Sequence, residues 1–209
     1  MRTALLAPLL LALAACGGAR QARVETFLDE LPPPALLPTE ALPVDVVLRQ
    51  HVTARWTEGE TSFDAIVQKH EDVLKLVALS PTGQPGFVLT LEPSGEVQVE
   101  NRTDRELPFR PERILADVQK VHFPWIEGEV PREGTLRGRA LGYEVEERFE
   151  DGRLVERRFA AGASPEGPEV IVRYGDWDAR RVAPSVATLT HSLGYELTVE
   201  TFEEIILAA

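Results

Sequence analysis

Residues 107–125 read LPFRPERILADVQKVHFPW and hold the clearest amphipathic helix in a chain otherwise written in strand periods. Pro111 suits a first helical position, because the N–H it lacks would have no partner there. Glu112 sits favourably in the first turn, and Pro124 cannot continue the helix. The pattern predicts a helix over 110–123. At ~100° per residue, Ile114, Leu115, Val118, Val121 and Trp125 fall on one side, with Arg113, Asp117 and Lys120 on the flank and back. A helix with one apolar stripe must lie against something. No second helix of similar quality is available, so the partner expected is the concave face of a curved sheet.

Working outward, both flanks carry the period of two that marks half-buried strands. Over 46–56, Val46, Leu48, Val52, Ala54 and Trp56 share one phase, and Gln50 alone breaks its apolar character. Glu58-Gly59-Glu60 turns the chain into 61–70, and Glu71-Asp72 turns it into 73–80. The loop PTGQPG (81–86) precedes 87–92, and Pro93-Ser94-Gly95 reverses the chain into 97–101. Downstream, 139–150, 153–159, 169–174, 186–191 and 195–201 read as up to five more strands, with Asp151-Gly152 the clearest hairpin turn. The fold class expected is α+β: a curved, mostly antiparallel, unclosed half-barrel wrapped around the central helix.

The chain begins with MRTALLAPLLLALAA, in which Arg2 precedes an apolar run too short for a transmembrane helix of ~20 residues. This reads as an export signal over residues 1–15. Leu13-Ala14-Ala15-Cys16 resembles the bacterial lipobox, which implies lipidation of Cys16, the single cysteine of the 209 residues. Gly17 after it, by resemblance to sorting rules, favours the periplasmic face of the outer membrane. Residues 16–43 then form the lipidated N-terminus and a proline-rich tether containing LPPPALLPTEALP. Within it, 24–31 is open to a second reading as a short helix. The remaining domain is 44–209.

Composition narrows the chemistry. A net charge of -12 without Lys or Arg clusters argues against nucleic acid and disfavours anionic lipid. His51, His70, His122 and His191 have no metal-ligand spacing, and no nucleophile elbow, P-loop or dinucleotide fingerprint occurs. Asp176-Trp177-Asp178 could bind a cation or a sugar, but suits a solvated turn with an anchoring ring better. No enzyme and no cofactor are therefore expected. What remains is apolar surface. An acyl-chain site would look like ordinary core and would be built from Val52, Trp56, Phe63, Leu89, Ile114, Leu115 and Val118. The same residues could equally fill a solid interior.

Lipobox, proline-rich tether, five strands, the 107–125 helix and a second set of hairpins together resemble a group of bacterial outer-membrane lipoproteins associated with aryl-polyene-type gene clusters. The most specific piece is Ile114-Leu115-Ala116-Asp117-Val118-Gln119 followed by Pro124-Trp125, similar to that group's Leu-Ala-Asp-Leu-Gln helix ending in Trp-Pro, with the last pair reversed here. More distantly, the layout is similar to the lipoprotein carrier LolA and its receptor LolB, whose unclosed barrel and helical lid enclose a cavity for acyl chains. The resemblance implies a lipid-anchored protein that binds acyl chains of a lipid or lipoprotein and aids their transfer to the outer membrane. A structural or assembly lipoprotein that binds another envelope protein is the alternative expectation. A receptor-like insertion loop is not evident, because 81–86 has no large apolar tip before Phe87.

Overall fold

The computed structural model describes residues 33–57, 59–103, 110–162, 169–177, 181 and 183–207. Residues 1–15, expected to be an export signal, Cys16 and the 24–31 segment lie outside these residues. Eleven strands form one sheet in which every neighbouring pair is antiparallel. They are β1 (Val46–Trp56), β2 (Gly59–His70), β3 (Val73–Leu79), β4 (Pro85–Leu91), β5 (Val97–Asn101), β6 (Gly134–Ala140), β7 (Tyr143–Glu150), β8 (Arg153–Ala161), β9 (Val170–Gly175), β10 (Val186–His191) and β11 (Tyr195–Ile206). The order across the sheet is β5-β4-β3-β2-β1-β11-β10-β9-β8-β7-β6. Two hairpin meanders, one before and one after the single α-helix among the described residues, are thus joined where β1 pairs with β11. β5 and β6 are left as free edges, so the sheet is unclosed.

One more strand is present than the sequence pattern predicts. The 139–150 run is not one strand: β6 ends at Ala140, and Leu141 (φ 50°) and Gly142 (φ 83°) turn the chain into β7. Two consecutive positive φ values are the geometry that lets a two-residue hairpin match strand twist.

The helix α1 (Pro111–His122) ends within a residue of each expected boundary, and Phe123 N–H closes its last turn onto Gln119 O at 2.9 Å. Its exposure differs from the stripe the sequence suggests. Leu115 and Val121 are buried, but so are Arg113, Asp117, Gln119 and Lys120, while Ile114 and Val118 are only half-buried. The supposed outer face of the helix is therefore turned inward. Periodicity identifies a helix's apolar stripe; it does not reveal that the opposite stripe meets polar partners of its own.

Residues 33–42, which the sequence reading gives to the tether, include side chains that sit on the domain. Leu36, Leu37, Ala41 and Leu42 pack against the core, around a short 3₁₀ turn at Thr39–Ala41. Leu37 is held at both main-chain groups by the Gln119 amide, each bond 2.8 Å, and Thr39 Oγ1 donates to Asp72 O at 2.6 Å. A buried glutamine thereby finds its partners in this strap instead of in water.

Candidate functional site

The register fixes which side chains look inward. Leu48, Val67, Leu76 and Leu89 stand opposite one another in a row across β1–β4, and all four are buried. This part of the inner face is apolar. On the other meander the corresponding rows mix chemistry: Leu197, Leu189 and Val172 continue into Arg157 and Glu147, while Tyr195 and His191 continue into Val170, Phe159 and Val145.

These inward polar residues meet the helix. Arg157 Nε donates to Glu147 Oε1 at 2.7 Å, both side chains being 5 % exposed, and its Nη1 donates to Lys120 O at 2.7 Å. Tyr174 O–H reaches Lys120 O and Val121 O at 3.3 and 3.1 Å, and Trp125 Nε1 donates to Gln119 O at 3.0 Å. The last carbonyls of a helix have no partner within it and carry its negative end, so a guanidinium and a phenol from the sheet satisfy both needs. Deeper in, Lys120 Nζ donates to Asp117 Oδ1 at 2.9 Å, and Tyr195 O–H donates to Asp117 Oδ2 at 2.8 Å. Gln50, the one polar break in the phase of β1, donates to Thr201 Oγ1 at 2.9 Å and lies 3.1 Å from His122 Nε2.

Burial tunes the ionisable members. His191 is pushed down to about 4 by burial, against the pull of Asp117; its ring stacks on Tyr195 at 4.8 Å, and its Nδ1 accepts the Leu193 N–H at 3.1 Å. His122 is pushed down to about 4 by burial and by the Arg157 charge. Burial raises Tyr174 to about 12 and, with Asp117 beside it, raises Tyr195 well above the ordinary phenol value. The site is a neutral-histidine, phenol-rich network around three cations (Arg113, Lys120, Arg157) and two carboxylates (Asp117, Glu147), all buried.

The seven residues assigned to an acyl-chain cavity are brought into one apolar cluster. Leu89 and Leu115 are fully buried within it, and Val52, Trp56, Phe63, Ile114 and Val118 are half-buried against it. Two hollows stand out among the described residues. One, of about 330 Å³, is lined by Arg55, Trp56, Thr190, His191, Gly194, Tyr195 and Glu196. The other, of about 460 Å³, lies among Arg137, Gly138, Arg139, Glu144, Val145, Glu146, Arg158 and Ala160. Of the seven, only Trp56 lines either. Sequence reasoning missed the polar network, although a signal exists: Gln50, Glu147, Arg157, His191 and Thr201 each occupy the apolar phase of their strand. Of Asp176-Trp177-Asp178, Asp178 lies outside the described residues, and Trp177 Nε1 donates to Leu154 O at 3.1 Å. Among the described residues, no three His, Cys, Asp or Glu side chains are placed to hold a metal, and no helix is long and apolar enough to cross a membrane.

Residues 47–203 match the family described as "Protein of unknown function (DUF3261)". Comparison with curated protein sequences finds no match. Among solved structures, the chain is similar to a candidate outer membrane lipoprotein-sorting protein domain from Vibrio parahaemolyticus, with TM-score 0.50 and 10% identity over 90% of this chain and 92% of that one. It is also similar to a LolA superfamily protein from Nitrosomonas europaea, with TM-score 0.48 and 12% identity over 90% and 93% of the two chains. At such identity the first likeness is one of fold.

Proposed function

The chain belongs to the DUF3261 family, and from that membership and its fold we propose that it is an outer-membrane-anchored periplasmic lipoprotein, lipidated at Cys16, which binds the acyl chains of a lipid or lipoprotein cargo. The observation that carries the reading is the way the apolar inner face is covered. A single 12-residue helix and the strap at 33–42 lie over it, and much of their attachment is polar: Gln119 to Leu37, Asp117 to Tyr195, Lys120 O to Arg157, and His122 to Gln50. Polar contacts can be exchanged for water at modest net cost, so this cover can lift where a wholly apolar one would not. The helix is about 18 Å long, yet it lies against β4 and β5 and also reaches polar partners on β8 and β9; β5 and β8 are eight strand spacings apart, ~38 Å across a flat sheet. We therefore read the sheet as a half-barrel curled about the helix, with Val52, Trp56, Phe63, Leu89, Ile114, Leu115 and Val118 as the surface a chain would displace. An association with aryl-polyene-type synthesis, which the sequence resemblance implies, would make an acylated product the cargo.

One observation favours a second reading, an assembly lipoprotein with a solid interior: Leu74, Leu89, Leu115, Phe123, Phe159 and Leu189 are all fully buried, and the hollows lie elsewhere. The test is to express residues 17–209 without the anchor, extract co-purifying lipid for mass spectrometry, and titrate the delipidated protein with a fluorescent fatty acid. Saturable binding supports the carrier; no extracted lipid and no saturation turn the assignment to the assembly protein.

A further inference from the structure

Six large apolar side chains are exposed among the described residues, and three of them, Phe202, Ile205 and Ile206, fall in the last five positions of β11. Their display is built. Between Arg49↔Glu203 and Gln50↔Thr201 the register of β11 slips by one residue, leaving Phe202 as the extra residue of a bulge, 55% exposed. The guanidinium of Arg181 donates to Thr201 O and Phe202 O at 2.7 and 3.3 Å, and Ala183 N–H donates to Glu204 Oε2 at 2.8 Å. A bulge of this kind re-aims a side chain, and here two loop residues brace it.

The same end of the sheet is where the chain enters. Ile206 is opposite Val46, the first residue of β1, and Leu207 N–H donates to Asp45 O at 2.9 Å. Asp45 also meets Lys69, His70 and Glu71, and Thr39 meets Asp72, all at the β2–β3 turn. Ile205 and Ile206, opposite Val47 and Val46, lie on alternate faces of the strand; resting on the Cys16 anchor proposed above, we propose that the end of β11, with the bulge residue Phe202, docks edge-on into the membrane that holds the anchor. The 16 residues between Cys16 and Pro33 would span at most roughly 53–58 Å if extended and about 22 Å as a flexible coil, so the patch stays within reach of the lipid surface. Tethering makes that contact intramolecular, which allows three side chains to suffice. The charged neighbours are acidic or already matched, with Glu203 paired to Arg49 at 3.1 Å, so the surface fits zwitterionic rather than anionic headgroups.

The test uses the full lipidated chain, in which acylation of Cys16 leaves an introduced cysteine as the single free thiol. Phe202→Cys and, separately, Ile205→Cys carry an environment-sensitive dye; Leu141→Cys, in the exposed β6–β7 turn at the opposite end of the strands, is the control. The proteins are reconstituted in vesicles of phosphatidylethanolamine and phosphatidylcholine with brominated acyl chains. Docking gives a blue-shifted emission and quenching at 202 and 205 but not at 141. If the protein sediments with vesicles while all three dyes stay aqueous, the docking patch is wrong and the anchor stands. If it does not sediment, the anchor reading itself fails. Shielding of 202 without vesicles, together with a dimer on gel filtration, overturns the membrane in favour of a second copy of this chain.

Discussion

Acid sensitivity is set by single side chains. His191 and His122 have folded-state values of about 4 against an ordinary 6.5, so between those limits the unfolded chain binds protons that the native one refuses. Stability is therefore unaffected by these groups above about pH 6.5 and falls as the pH drops toward 4, by up to ~3 kcal/mol for each histidine. Asp45 acts lower on the scale: Lys69 and the Glu71 N–H hold it at about 2, so its contribution is complete above 3.8 and is lost as the pH falls through 2. A thermal-unfolding series from pH 7.5 to 4 is expected to show a level Tm down to about pH 6.5 and a progressive loss below it. His191→Phe, which keeps a ring against Tyr195 but cannot titrate, is expected to reduce that slope by about half, His122 supplying the rest, while costing about 1 kcal/mol at neutral pH for the lost Leu193 bond. Arg157→Ala leaves Glu147 buried without its partner and the Lys120 carbonyl less well satisfied, and urea unfolding is expected to show a loss of ~3–5 kcal/mol.

At the scale of elements, the helix supplies the sharpest comparison. Leu115 is fully buried whereas Ile114 and Val118 are half-buried, so Leu115→Ala is expected to cost ~2–5 kcal/mol, with Ile114→Ala and Val118→Ala falling below that range. The strap rests chiefly on one amide: Gln119→Leu removes both bonds to Leu37, and hydrogen exchange is expected to quicken around residues 36–42 while the sheet keeps its protection. Much of this layer was legible beforehand. The alternation of Val186–His191 marks both ends of β10, and Pro111 and Pro124 bracket α1. The β6–β7 hairpin was hidden because Arg139 to Glu150 reads as one run, and a leucine at φ 50° is not the residue that advertises a tight turn. The inward helix face was hidden for a related reason: Asp117 and Lys120 look like a solvated pair until the register brings Tyr195 and Arg157 beneath them. Partners more than thirty residues away leave no trace in local periodicity.

For the molecule as a whole, the carrier reading makes a thermodynamic statement. A fatty acid that binds only the native state is expected to raise Tm with concentration, by ~2.7 kcal/mol of added stability at a hundredfold excess over Kd. Calorimetry that shows no such dependence would count for the solid-interior alternative. The anchor is tested by Cys16→Ser, which is expected to release the protein from the membrane fraction or block its processing. The sheet order carries a consequence of its own, in time rather than space. The two meanders meet only along β1 and β11, whose partners, such as Val46 and Ile206, stand at opposite ends of the domain sequence. Neither meander can be sealed to the other until the final strand has emerged, and contacts of such long sequence separation form slowly. For a chain exported as an unfolded thread, as proposed above, that delay is useful: β11 acts as the latch, and the two meanders are expected to join only once it has crossed.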